Sequence, residues 1–225
     1  MPSAYTNGST PTSVRQNPAQ ALHESAPPEP YIAKQFDFSK VHGLSTRALE
    51  VHQSLYETYV KEANALLPLV YASPTHDASS PTERLQYDGL VRRLAFELNG
   101  VTLHELFFES LGGGNGNAPD TASIFGKALK GSYGSYEAWK HSVAQIAKTR
   151  GVGWVLTLRS GADNRVCNVW IDDHTDGFLA DMHPIVAFDL WEHAYLLDFK
   201  PSERHKYLEV LFENINWNVI ESRCR

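Results

Sequence analysis

The sequence has few cysteines and no long apolar run. Cys167 and Cys224 are its two cysteines in 225 residues, and they lack the CxxC spacing of a redox motif or the density of a disulfide scaffold. We therefore expect two free thiols in a reducing compartment. No apolar stretch approaches the roughly 20 residues that a membrane helix needs, so we expect no transmembrane segment and no membrane partner.

An excess of positive charge is also missing. The chain carries 20 Lys and Arg against 26 Asp and Glu, a net charge of −6, and shows no basic stripe of the kind that binds nucleic acid. Its N-terminus has neither the basic start nor the apolar core of a secretory signal. We expect a cytoplasmic protein. An organellar matrix is the alternative, although Arg15 is the only basic residue among the first thirty.

The first half of the chain is predominantly helical in pattern. Residues 1–30 are rich in Ser, Thr and Pro, and we interpret them as a flexible tail that cannot bury enough apolar surface to order. Apolar residues then recur at helical spacing from Leu44 to about Leu67 and from Thr82 to Leu111, and Ser45 can cap the first helix. We expect these helices to form an antiparallel hairpin. The glycine-rich segment Gly112 to Pro119 is interpreted as an interdomain linker.

The second half mixes helices and strands. The patterns predict a helix over Ser135 to Lys148, strands over Gly153 to Arg159, Arg165 to Ile171 and Pro184 to Phe188, and a closing helix over Ser202 to Phe212. A helical hairpin followed by a small mixed unit is an α+β plan. We expect a hairpin domain at 31–113 and an α/β domain at 114–225.

The sharpest chemical signal is DLWEHAY, from Asp189 to Tyr195, directly after the third predicted strand. A carboxylate and an imidazole four residues apart can bind one ion if the chain coils between them. His52 and His104 lie on the two long helices, where a lone histidine is more often a packing residue than a ligand. With Asp189 and His193 they form a set of three imidazoles and one carboxylate that suits iron or manganese, and zinc could bind it as well.

The order of motifs from about Tyr31 onward resembles that of the iron/manganese superoxide dismutases. DLWEHAY matches the family's DxWEHxxY signature in all but the final tyrosine. The other matching blocks are His52, Tyr56, Tyr59 and Val60 in the first helix, His104, Leu106, Phe107 and Phe108 in the second, residues 151–154 at the first strand, and Asn216 and Trp217 near the end. Several motifs in the right order make the resemblance specific.

The resemblance implies a helical hairpin followed by an α/β domain with a three-stranded antiparallel sheet. One iron or manganese ion per subunit would lie between them, with His52, His104, Asp189 and His193 as ligands. The implied activity converts superoxide to dioxygen and hydrogen peroxide by redox cycling of that ion. Trp154 and Trp191 fall where the family lines the metal pocket, Tyr59 at its gateway tyrosine, and Glu192 where it reaches the metal-binding histidine of a second subunit. A homodimer or tetramer is expected.

The chain departs from the family pattern in its first helix and at Leu196. His52 and Tyr59 are seven residues apart, one fewer than is usual, and the loss of a one-residue π-bulge would explain the difference. Leu55 and Leu196 replace a histidine and a tyrosine that pair across the family's dimer contact, which predicts a related dimer with a drier interface.

The glutamine that hydrogen-bonds the metal's solvent ligand in the family is also absent. It is supplied either four residues before the second ligand, here Gly100, or from the sheet, where His174 is best placed to replace it. We expect His174 to hydrogen-bond both the metal's solvent ligand and the Tyr59 hydroxyl. A solvent-exposed turn histidine is the alternative.

Two other functions remain open at this point. The main alternative is a metal-free relative that serves as a structural or ribosome-associated subunit. A zinc hydrolase is the other, although no separate general base or nucleophile is visible beside the cluster. Retention of four candidate ligands favours the dismutase.

Overall fold

The computed structural model describes residues 28–71, 80–114 and 116–225. The tail expected at 1–30 lies outside the described residues except for its last three. The elements are α1 (Thr46–Tyr71), α2 (Pro81–Glu109), α3 (Ile124–Tyr133), α4 (Tyr136–Ile146), β1 (Gly153–Ser160), β2 (Val166–Asp172), β3 (Met182–Asp189), α5 (Glu192–Tyr195), a 3-10 turn (Pro201–Glu203), α6 (Arg204–Asn214) and α7 (Trp217–Ser222). The predicted α+β class is confirmed, and the domain boundary near residue 113 stays a prediction.

Both long helices start at serine caps. The Ser45 hydroxyl accepts a hydrogen bond from the Ala48 amide at 3.1 Å. Ser80 and Glu83 form a reciprocal capping box at the start of α2, with a proline at its first position. Such caps accept hydrogen bonds from first-turn amides that have no partner within the helix. Ser45 and Ser80 therefore stabilise the starts of α1 and α2.

The two helices run antiparallel, and their contacts show it. The Tyr56 hydroxyl of α1 bonds Glu105 at 2.9 Å, whereas Tyr59, one turn later in α1, packs against Gly100, one turn earlier in α2. Later residues of α1 therefore contact earlier residues of α2, as in an antiparallel pair. This confirms the predicted hairpin.

The sheet is antiparallel with the order β2-β1-β3 among the described strands. Trp154 of β1 pairs with Ile171 on one side and with Asp189 on the other. The central strand is almost wholly buried. Because Trp154 and Asp189 are paired at one end of the sheet, that end presents an indole and a carboxylate together.

The described residues contain neither a disulfide nor a membrane-spanning helix. Cys167 and Cys224 are both free thiols. Among the described helices, none combines the length and the apolar character needed to cross a bilayer.

Candidate metal centre

The four residues predicted as ligands converge between the hairpin and the sheet. His52 comes from α1, His104 from α2, Asp189 from the end of β3 and His193 from α5, and one ligand atom from each lies within 4.8 Å of the others. The Asp189 Oδ2 atom is 3.0 Å from His52 Nε2, 3.2 Å from His193 Nε2 and 3.7 Å from His104 Nε2. His193 alone keeps a partly exposed side chain, at 21%.

The shortened spacing on α1 fits a regular helix. α1 is α-helical from Thr46 to Tyr71, all of whose residues are described. Seven residues span about two turns, so His52 and Tyr59 lie on the same face. His52 is 2% exposed and points into the cluster, as the ligand set implied by the resemblance requires.

His104 is oriented by its own helix. Its Nδ1 atom lies 2.6 Å from the Gly100 carbonyl oxygen, which can only accept a hydrogen bond, so Nδ1 carries the proton. Nε2 is then a lone-pair donor facing Asp189. This atom is buried and has no hydrogen-bond partner among the described residues. A buried acceptor without a partner is costly, and a cation at the cluster would satisfy it.

The charge states of the cluster also suit a cation. Burial lowers the pKa of His52 and lowers that of His104 well below its usual value, so both are neutral at pH 7. Burial by itself would raise the pKa of the Asp189 carboxyl. Electrostatic attraction to His193, together with hydrogen bonds from His193 and His52, outweighs it and holds the pKa well below its usual range. The carboxylate is further fixed by the Trp191 amide, which donates to Oδ1 at 2.9 Å. Three imidazoles and one carboxylate fit an iron or manganese ion.

His174 lies beside the cluster and is fully buried. The Trp154 indole donates to His174 Nδ1 at 2.9 Å, and His174 Nε2 is 3.0 Å from the Tyr59 hydroxyl oxygen. Since an indole N–H can only donate, Nδ1 accepts and Nε2 carries the single ring proton. His174 is therefore not a solvent-exposed turn histidine, which was the alternative interpretation.

This arrangement limits what the His174 ring can do. Both of its nitrogens are engaged, one by Trp154 and one by Tyr59. We expected His174 to hydrogen-bond a solvent ligand of the metal at the same time. The neutral ring has only one N–H, and that N–H is directed at Tyr59, so this part of the expectation does not fit the structure. Burial lowers the pKa of His174 to about 4, so the ring is neutral. Burial, followed by the charge of Asp189, raises the pKa of Tyr59 well above its usual value.

Aromatic rings surround these polar groups. The Trp191 ring stacks on His174 and His193, with centroids 4.9 and 5.6 Å apart. Trp154 packs edge-on to His104 at 5.1 Å. Glu192 is exposed in the first turn of α5, and its contact with a second subunit stays a prediction.

Sequence reasoning missed one neighbour of this site. The Phe96 ring lies 4.6 Å from that of His174 and 6.2 Å from that of Tyr59. Phe96, Gly100 and His104 are spaced by four along α2, so they share one helix face. That spacing was the signal available in the sequence.

Comparison with known proteins gives an independent assignment. The buried cluster of three histidines and one aspartate between a helical hairpin and an antiparallel sheet is a candidate centre for a single metal ion. Residues 121–223 match the model for the C-terminal domain of iron/manganese superoxide dismutases. The iron superoxide dismutase of Cupriavidus metallidurans is 31% identical over 188 residues, which cover 82% of this chain and 90% of that protein. This chain belongs to the iron/manganese superoxide dismutase family.

Other relatives span the same family with different coverage. The iron superoxide dismutase of Pyrobaculum aerophilum is 29% identical over 205 residues, 88% of this chain and 86% of its own length. Manganese superoxide dismutase 2 of Haloferax volcanii is 34% identical over 135 residues, which is 60% of this chain and 66% of that protein. Iron and manganese enzymes are therefore both among its relatives.

Proposed function

We propose that this chain is a superoxide dismutase that converts superoxide to dioxygen and hydrogen peroxide with one iron or manganese ion per subunit. The ligands are His52, His104, Asp189 and His193. The observation that carries the proposal is the convergence of these four side chains on one point, with His104 Nε2 buried and without a hydrogen-bond partner among the described residues. When bound, the ion supplies two oxidation states, so that one superoxide can give up an electron and the next can receive it.

The four ligands also set the charge of the site. Asp189 provides one negative charge among three imidazoles and would offset part of the charge of a bound cation. The Trp191 amide donates to Asp189 Oδ1. This hydrogen bond fixes the carboxylate so that Oδ2 points at the cluster. This preorganisation is the contribution that the protein makes before any ion arrives.

Tyr59 is the group best placed to deliver a proton. His174 donates its Nε2 proton to the Tyr59 oxygen, so the hydroxyl hydrogen of Tyr59 is free to point toward a small molecule at the cluster. The raised pKa keeps that hydrogen on the phenol at neutral pH. His174 acts through Tyr59 as a positioning residue, and Trp154 in turn fixes the tautomer of His174.

The metal-free structural subunit is not favoured. A permanently empty centre would leave the buried His104 Nε2 atom without a hydrogen-bond partner among the described residues, and an uncompensated polar atom destabilises a protein interior. The relatives described above bear the names of enzymes. A ribosome-associated role has no supporting feature in the described residues.

A homodimer is the assembly that we propose. Val51, Leu196 and Leu197 are 48%, 43% and 48% exposed, and each lies within four residues of His52 or His193 in the sequence. These apolar side chains would form the drier contact expected from the replacement at Leu196. The cytoplasm stays the expected compartment.

The test begins with the metal content of protein purified from cells grown with both iron and manganese. Wild type should contain close to one ion per chain and consume superoxide. Asp189→Ala, His193→Ala and His52→Ala should each lose metal and activity together, whereas His141→Ala, at an exposed position on α4, should keep both. Normal metal content in Asp189→Ala would refute the ligand assignment.

A further inference from the structure

Asn99 of α2 holds the backbone of the turn that carries His174. Its Nδ2 atom donates a hydrogen bond to the His174 carbonyl oxygen at 2.7 Å, and the two residues are 75 positions apart in sequence. Asn99 is partly buried, so water competes less for this hydrogen bond than it would at the surface. Among the described residues, this hydrogen bond joins the hairpin to the backbone of the turn.

The other hydrogen bonds of the turn run between close neighbours in sequence. The Asp172 amide donates to the Asp176 carbonyl at 2.8 Å, and the Asp172 carbonyl accepts the Thr175 amide at 3.1 Å. These contacts close the turn, but they do not fix its distance from α2. The hydrogen bond from Asn99 fixes that distance.

The position of the His174 backbone decides whether the ring can make two hydrogen bonds at once. Trp154 donates to Nδ1 at 2.9 Å, and Nε2 lies 3.0 Å from the Tyr59 oxygen, to which it donates. The ring is rigid and turns about two side-chain bonds. A backbone shift of about 1 Å therefore cannot be absorbed while both nitrogens stay within the usual range of about 2.7–3.2 Å.

We propose that Asn99 is a positioning residue for the dismutase reaction, because it holds the turn at the distance from α2 at which His174 donates to Tyr59. The inference rests on the proposed function, in which Tyr59 delivers a proton. The bond from His174 occupies the Tyr59 oxygen and leaves its hydroxyl hydrogen directed at the cluster. Gly100, the next residue on α2, has no side chain, so this part of the helix reaches the turn through Asn99.

Two substitutions remove the hydrogen bond in different ways. Asn99→Asp keeps the size of the side chain but replaces the NH2 group by an oxygen that only accepts when the carboxyl is ionised. Asn99→Ala removes the polar group altogether. The matched control is Asn64→Ala on α1, which also removes an asparagine that donates to a backbone carbonyl, that of Tyr31 at 2.9 Å.

The kinetic measurement separates kcat from KM for superoxide. Each Asn99 variant should lower kcat about two- to tenfold, the effect of one net hydrogen bond, while metal content and KM stay close to those of wild type. In a Tyr59→Phe background the same substitutions should cost no further activity, because Asn99 acts through the Tyr59 hydroxyl. Asn64→Ala should keep the wild-type kcat per folded molecule.

A second measurement does not depend on activity. The Trp154 indole N–H is observed by proton–nitrogen NMR in metal-free protein and after zinc is added, since neither form is paramagnetic. Its signal is assigned by its loss in Trp154→Phe. Because this N–H donates to His174 Nδ1, its signal should shift in Asn99→Asp and Asn99→Ala and stay in place in Asn64→Ala.

Two results would overturn the proposal. An unchanged Trp154 signal in both Asn99 variants would show that the turn holds His174 without Asn99. A kcat loss that persists in full in the Tyr59→Phe background would show that Asn99 acts on the site by another route. Failure of the proposed function is distinguishable: metal-loaded wild type would not consume superoxide, whereas the Trp154 signal would still shift in the Asn99 variants.

Discussion

Gly100→Ala should lower the activity of the site although it adds only one methyl group and changes no ligand. A β-carbon at this position would lie 2.6 Å from Tyr59 Cδ1, whereas carbon atoms pack at about 3.5 Å or more. The Tyr59 ring must therefore move by about 0.9 Å. Its hydroxyl is 3.0 Å from His174 Nε2, and a displacement of that size takes the pair out of hydrogen-bond range.

The expected loss has two parts. Overpacking by one methyl group should lower the free energy of unfolding by about 1–3 kcal/mol. The broken Tyr59–His174 bond should lower kcat by about three- to tenfold, the equivalent of about 0.5–1.5 kcal/mol. Metal content should stay normal, because the Gly100 carbonyl that orients His104 belongs to the backbone and is retained.

Chemical denaturation, metal analysis and superoxide consumption on the same preparation would measure these effects. The control is Gly131→Ala on α3, where an added β-carbon meets nothing within 4 Å; it should keep full activity and gain up to about 1 kcal/mol from helix propensity. In a Tyr59→Phe background, Gly100→Ala should cost little further activity. Wild-type kcat and stability in Gly100→Ala would refute the reasoning.

Three other substitutions test His174, Glu192 and Thr157. His174→Gln should shift the reduction potential, measured by potentiometric titration, because an amide can accept from Trp154 and still offer two N–H donors where the imidazole offers one. Glu192→Ala should weaken the homodimer in analytical ultracentrifugation and lower metal occupancy. Thr157→Val should cost about 1–3 kcal/mol in denaturant unfolding, because it leaves the buried Trp139 indole N–H without its 3.0 Å acceptor. Activity per folded molecule should be unchanged in that variant.

Each of these has a contradicting result. An unaltered potential in His174→Gln would remove His174 from the site's tuning. A wild-type protein that is monomeric and fully active at low concentration would contradict the role of Glu192. Unchanged unfolding in Thr157→Val would show that the indole finds another acceptor.

The long elements could be predicted because their signals are local. The hairpin has two long runs of helical periodicity, each with a serine cap at its start, and the strand pairing leaves an apolar pattern in β1. α3 was missed because much of its support is not local. It has glycines at 126 and 131, and the Glu221 carboxylate, about a hundred residues away, accepts the amides of Ile124 and Phe125. No window of the sequence contains that contact.

The position of His174 beside Tyr59 could be predicted from the family resemblance, but not from its own sequence neighbours. The surrounding DDHTD reads as an exposed polar turn, yet the ring is buried. Asp173 adopts a left-handed backbone with φ of 50°, a conformation that aspartate tolerates better than most residues. The Asn99 side chain then holds the His174 carbonyl at 2.7 Å. The turn geometry and this contact with α2 direct the His174 ring inward. Neither could be predicted from the residue types around His174.

The spread of the four ligands along the chain has a consequence for folding. His52 and Asp189 are 137 residues apart in sequence, and closing so long a loop is entropically costly. The complete centre exists only after the hairpin has docked on the sheet. An ion that binds the folded chain alone stabilises it by about 4 kcal/mol at a thousandfold excess over its Kd. The ligand set is therefore complete only in the folded chain, and we expect a metal ion to bind late in folding, once the hairpin and the sheet are in place.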